Sequence, residues 1–159
     1  MGRIARRLAV MVTLGVMVTL GWIAGFPASA AADAPGIAAP PATIREIQSA
    51  LHLAVQQFQA RDLSGVLAHV SERYRTGPFT KSGVREQLRA MYGVYDEVRA
   101  RVQVDQVRLV GDSAWVYTTG EISGRLPVVG YWIPVLSWER ELEVARREGD
   151  VWRLFGYQQ

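Results

Sequence analysis

Cysteine is absent from all 159 residues. That excludes disulfides, thiolate metal sites, a cysteine nucleophile and lipid attachment through a lipobox cysteine. An exported domain of this composition has to be held together by its core alone. Histidine is scarce as well, with only His52 and His69. Without cysteine or a neighbouring cluster of acids, the two make a poor ligand set, so no metal is expected. There is no phosphate loop, no zinc-binding helix motif and no Ser-His-Asp order, and no cofactor is expected either.

A surplus of charge is missing too, although the chain first reads as basic. Lys and Arg number 18 against 15 Asp and Glu. Three of the 18 are Arg3, Arg6 and Arg7, in an N-terminal stretch with no acid, so the remainder is balanced at zero. Net charge therefore gives no support to nucleic-acid binding. The same stretch has the three parts of an export signal: a basic start, an uncharged apolar run over residues 8–26, and small residues at Ala28 and Ala30 after Pro27. Residues 1–30 read as a signal peptide cut after Ala30, releasing the rest to the periplasm or the outside. The competing reading is an uncleaved anchor over residues 8–26, just long enough to span a bilayer.

Residues 31–42 are rich in Ala and Pro and read as a flexible linker. Beyond it, residues 43–159 form about one domain. Thr43-Ile44-Arg45-Glu46 fits a capping box that opens a first helix, with Ile44, Ile47, Leu51, Ala54, Val55 and Phe58 on one face. Asp62 caps a second helix, striped by Leu63, Val66, Leu67, Val70 and Tyr74, and residues 75–78 end it with Gly and Pro. A third helix opens at Thr80 or Ser82 and buries Val84, Leu88 and Met91, followed by Tyr92 and Tyr95. After Asp96 the period becomes two. Val98, Ala100, Val102 and Val104 alternate with polar residues, then Val107 and Leu109 slip by one, which predicts a bulge near Asp105-Gln106. Further strands are expected over 113–123, 137–147 and 151–157, with turns at Gly111-Asp112 and at 148–150. Three helices followed by four strands predict an α+β domain, with a curved antiparallel sheet packed on the helices.

Three segments carry a resemblance: Ala60-Arg61-Asp62-Leu63, the hairpin residues 107–116, and Glu148-Gly149-Asp150-Val151-Trp152-Arg153-Leu154. Together they resemble the nuclear-transport-factor-two-like superfamily, which includes SnoaL-like polyketide cyclases and ketosteroid isomerase. The resemblance implies a cone-shaped partial barrel with a pocket between sheet and helices, and homodimers packed sheet to sheet. Likeness to the isomerase in particular would imply an Asp base just before a Pro in the segment after helix two. Here Gly77 stands at that place and no acid lies within residues 73–82, which argues against the isomerase reaction.

Several residues are candidates for function. Both histidines lie off the apolar stripes and are expected to face solvent. In the third strand Trp138, Arg140, Leu142 and Val144 share one face, and Glu139, Glu141 and Glu143 the other. This puts the Arg140 guanidinium in the core row, paired either with an acid such as Glu121 or Asp96 or with an anionic or carbonyl group of a ligand. Tyr74, Tyr92, Tyr95, Trp115, Tyr117 and Trp138 are either core or the wall of an apolar pocket. Residues 126–136 pass without a charge, and Pro127, Gly130 and Pro134 argue against a regular central strand. Leu126, Val128, Val129, Tyr131, Trp132 and Ile133 would close the pocket mouth, form a dimer interface, touch a membrane or fold onto the domain's own core.

The reading is a non-catalytic exported domain that binds a small apolar ligand or a protein partner, as a homodimer. Its alternatives are a cyclase- or isomerase-like enzyme without the usual Asp, and an assembly module tethered by an uncleaved leader. N-terminal sequencing of the exported product should begin at Ala31; a chain that begins at Met1 and stays in the membrane fraction would identify the leader as an anchor.

Overall fold

The structure, a computed structural model, describes residues 35–157. The proposed signal peptide and the start of the linker lie outside the described residues. Among those described, no helix is long and apolar enough to cross a membrane.

The end of the expected linker is paired backbone. Ile37–Ala38 forms β1, antiparallel to Leu109 and Arg108, and Arg108 donates to the carbonyls of Pro35 and Gly36. Helix α1 then runs over Pro41–Gln59, with its N-cap at Pro40, three residues ahead of the expected Thr43. Pro41 fits because the first helical residue has no N–H to contribute and its φ is already helical. The Thr43 capping box does not form. Glu46 instead accepts a 3.0 Å hydrogen bond from Trp152 Nε1 and lies 3.6 Å from Arg147, tying α1 to the last hairpin.

Asp62 caps α2 as expected, accepting from the Gly65 N–H at 2.9 Å. That helix spans only Leu63–Ala68. Past it, Val70 bridges to Leu154 and the backbone of His69 and Ser71 bonds to Leu154 on both sides. Arg75–Thr76 (β2) and Phe79–Thr80 (β3) make a small hairpin about Gly77, whose φ of +55° suits a residue without Cβ. The sheet's claim on the backbone thus cuts short the helix expected to reach Tyr74. Helix α3, Lys81–Val94, buries Val84, Leu88 and Met91.

The main sheet has the order β1-β4-β5-β6-β7, each neighbour antiparallel. Its long strands are β4 (Glu97–Val110), β5 (Ser113–Arg125) and β6 (Trp132–Glu148), and β7 (Val151–Leu154) closes it. The β4–β5 register slips between Val104 and Gln106, the expected bulge. Strand β6 starts five residues before the expected Ser137, despite Pro134. Strand β7 covers only Ala145–Glu148, so Pro134 sits where β6 has no strand on its outer side.

A bulge in β6 was not expected. Thr118 pairs with Glu141 and Gly120 with Trp138, so Glu139 and Arg140 together oppose Thr119. Arg140 takes φ +47°, and its N–H donates to Thr119 Oγ1 at 3.0 Å. One extra residue reverses every face beyond it. Trp138 is buried inside; Leu142 and Val144, opposite Tyr117 and Trp115, lie on the outer face. Glu141 and Glu143, opposite Thr118 and Val116, join the inner face.

The core divides into two clusters. One gathers Phe58, Val66, Leu88, Met91, Ile122 and Trp138; the other gathers Ile47, Val107, Ala114 and Val116. Gly120 lets the Trp138 ring cross β5, since a Cβ there would lie 2.5 Å from the ring and 2.6 Å from the Arg101 carbonyl. Gly120→Ala should cost roughly 1–3 kcal/mol of stability, whereas Arg140→Gly, which relieves the left-handed backbone, should gain about 0.5–1 kcal/mol. Urea unfolding midpoints check both signs.

Candidate functional site

A cavity of ≈ 110 Å³ opens where the two core clusters meet. Helix α1 supplies Ile47, Leu51 and Ala54, and the α2 segment supplies Val66 and Val70. The sheet supplies Val102, Val116, Ala145, Trp152 and Leu154. The size is comparable with the ~150 Å³ apolar cavity that admits a benzene-sized guest.

Four polar residues join this apolar wall: His69, Thr118, Glu143 and Arg153. Three have partners. His69 Nε2 is 2.9 Å from Gln57 Oε1, Thr118 Oγ1 accepts from Trp138 Nε1 at 3.0 Å, and Arg153 Nη1 donates to Glu148 Oε2 at 3.1 Å. Burial, and then the Arg153 charge, lower the His69 pKa, which favours neutral imidazole.

Glu143 differs from these three. It is half-buried and lines the cavity, and burial followed by the Glu141 charge pushes its pKa up to about 8. It also lines a second cavity of ≈ 40 Å³, together with Tyr74, Thr76, Glu141 and Tyr157. Glu141 Oε2 is buried there and has no hydrogen-bond partner among the described residues. Burial raises the Glu141 pKa as well. The inner face of β6 therefore presents two carboxyls to an interior that favours their protonated forms.

Most residues singled out from the sequence lie elsewhere. Arg140 is exposed rather than in the core row, 3.4 Å from Gln106 Oε1 and 6.0 Å from the Tyr117 ring. Trp115 and Tyr117 lie on the outer face, Trp115 against Tyr157. Tyr92 packs on Phe58 and donates to its carbonyl at 3.1 Å, and Tyr95 covers Gly124. Trp138 is core. Tyr74 alone among them reaches a cavity, the smaller one. Its pKa is raised to about 12, mainly by burial.

The apolar connection lines neither cavity. Leu126 and Tyr131 close a turn that leaves Val128 96% exposed and Val129 and Tyr131 in solvent. Trp132 and Ile133 are half-buried in β6, with the Arg99 guanidinium 3.8 Å over the Trp132 ring. His52 is exposed, as expected, but His69 is half-buried at the cavity, because the α2 segment turns to meet β7. Glu143 and Glu141 were missed as site residues. Both faces of β5 are apolar, Trp115 and Tyr117 on one and Ala114 and Val116 on the other, so its pattern could not show which face of β6 turned inward.

By sequence the chain matches no protein-family model and no curated protein. By structure it is similar to a conserved protein from Planctomyces limnophilus, with TM-score 0.64 and 14% identity over 74% of this chain and 94% of that one. It is also similar to a candidate scytalone dehydratase from Novosphingobium aromaticivorans, with TM-score 0.63 and 10% identity over 72% and 80% of the two chains. A third is a ketosteroid isomerase-like protein from Erwinia carotovora atroseptica, with TM-score 0.56 and 16% identity over 74% and 94%. At these identities the likeness is one of fold, and the chain has the nuclear-transport-factor-two-like cone fold that its sequence resembles.

The buried carboxyls set a pH dependence. The folded protein keeps the Glu143 proton up to about pH 8, while an unfolded glutamic acid releases it near 4.5. Between those values the folded state binds more protons, so stability falls as pH rises. Glu141, shifted the same way, adds to this trend. His69, shifted down, acts on the acid side: its contribution is present above its ordinary 6.5 and is lost as pH falls. The thermal midpoint should therefore drop between pH 6.5 and 8.5, and Glu143→Gln should remove most of that drop. A wild-type midpoint that rises over this range would contradict the placement of Glu143.

Proposed function

We propose that this chain is an exported domain that binds a small, mainly apolar molecule in the cavity between α1, α2 and the sheet. One observation carries the reading: an apolar-walled cavity interrupted by a few convergent polar groups, one of them the unpaired Glu143 carboxyl. The apolar body of a ligand would replace water against Ile47, Leu51, Val102 and Val116. The polar end would meet Glu143, His69 or Thr118. Export rests on the leader. Self-association, the second part of the reading, would use the outer sheet face that carries Trp115, Tyr117 and Leu142.

A second reading, proton-transfer catalysis on the bound molecule, has a specific observation in its favour. A carboxyl with raised pKa and an imidazole with lowered pKa line one cavity. Such opposed shifts favour a protonated carboxyl and a neutral imidazole, a proton donor and a proton acceptor. The acid comes from β6, not from the Gly77 position where the isomerase has its Asp.

Toluene and indole should bind the full chain and change Trp fluorescence, because Trp152 lines the cavity. Ala54→Leu, which fills the cavity from α1, should weaken both by roughly tenfold, about 1.4 kcal/mol. Equal affinity in the filled variant would place the ligand elsewhere. Catalysis would show as turnover that Glu143→Gln abolishes while binding persists.

A further inference from the structure

We propose that the ligand carries a primary ammonium group on its apolar body, and that the ammonium sits between Glu143 and Glu141. This rests on the ligand-binding reading above and narrows it to a chemical class. Glu141 and Glu143 stand two residues apart on the inner face of β6, opposite Thr118 and Val116. Glu143 lines both the ≈ 110 Å³ apolar chamber and the ≈ 40 Å³ chamber that Glu141 also lines. Glu141 Oε2 is buried and unpartnered among the described residues. No ion pair of the described residues includes either carboxyl.

The nearby cations are committed elsewhere. Arg153 at the large chamber is held by Glu148, His69 is bonded to Gln57, and Arg140 is exposed at the bulge. The small chamber adds only neutral oxygens, from Tyr74, Thr76 and Tyr157.

Among candidate head groups, these facts select a small cation. An anion would find no cation in the small chamber, whose polar lining is carboxyls and neutral oxygens. A carbonyl could accept from one protonated carboxyl but would leave Glu141 Oε2 as it is, since that atom lacks a donor. A metal ion is poorly served, because no group of three or more acidic, His or Cys ligands exists among the described residues. An ammonium has three N–H donors and no acceptor, enough to reach both carboxylates and one hydroxyl oxygen. It is close to water in size, and the small chamber has room for a water-sized group, which needs only ~10–15 Å³ on this measure. A bulky quaternary head would not fit. In binding, the ammonium takes the place of the Glu143 proton, and that proton leaves to solvent.

Calorimetry on the full chain at pH 7.5 with benzylamine, benzyl alcohol and toluene tests this. Benzylamine should bind at least about tenfold more tightly than either neutral probe. Its binding should release about one proton, read from the dependence of the heat on buffer ionisation. Glu143→Gln should abolish the preference and the proton release, and Glu141→Gln should reduce the preference severalfold. Toluene affinity should be unchanged in both variants, which also reports that they fold. Toluene binding with no benzylamine preference would overturn the amine inference and leave the cavity reading standing. If none of the three probes binds, both fail.

Discussion

One extra residue in β6 decides what the inside of this protein is made of. Glu139 and Arg140 together face Thr119, and the Thr119 hydroxyl accepts the Arg140 N–H in place of a ladder partner. Before the bulge, Trp138 points in; after it, Glu141 and Glu143 do. Had the strand stayed regular, Arg140, Leu142 and Val144 would have met Thr118, Val116 and Ala114, and the inner row would have carried one guanidinium and two apolar side chains in place of the two acids. The strain at Arg140, with φ +47°, is part of the cost of turning two acids toward the helices. Outliers of this kind are often found where a fold gives up stability for a site, and here the outlier lies one and three residues before the unpaired carboxyls.

Much of the architecture was legible beforehand because it is local. Apolar residues at helical spacing buried Ile47, Ala54 and Phe58 on α1 and Val84, Leu88 and Met91 on α3. Asp62 capped its helix, and the slip from Val104 to Val107 was a bulge. What escaped was set by distant partners. Glu46 was read as half of a capping box, yet it bonds Trp152, 106 residues away. The second helix stops at Ala68 because Leu154 takes the next backbone groups. Ile37 and Ala38 had no pattern of their own, and β4 recruited them as an edge strand.

The site was less legible than the fold for the same kind of reason. A strand's inward face can be read only if one face is polar, and β5 offers two apolar faces. The alternation from Trp138 to Val144 therefore looked like a single amphipathic strand with Arg140 inside. Gly77 was read as standing where one known arrangement has its acid, and the carboxyls that line the cavities come from another strand. Both the binding and the proton-transfer readings depend on those carboxyls, and so does the amine inference.

The claim that joins these points is that Glu143 lies inside the cavity and holds its proton near neutral pH. NMR titration of the glutamate carboxyl carbons, with Glu143→Gln to assign the resonance, tests it directly. The account predicts one carboxyl titrating near pH 8, far above the ~4.3 of an ordinary glutamic acid. A Glu143 resonance that titrates in the ordinary range would contradict it, and would mean that β6 presents this residue to solvent.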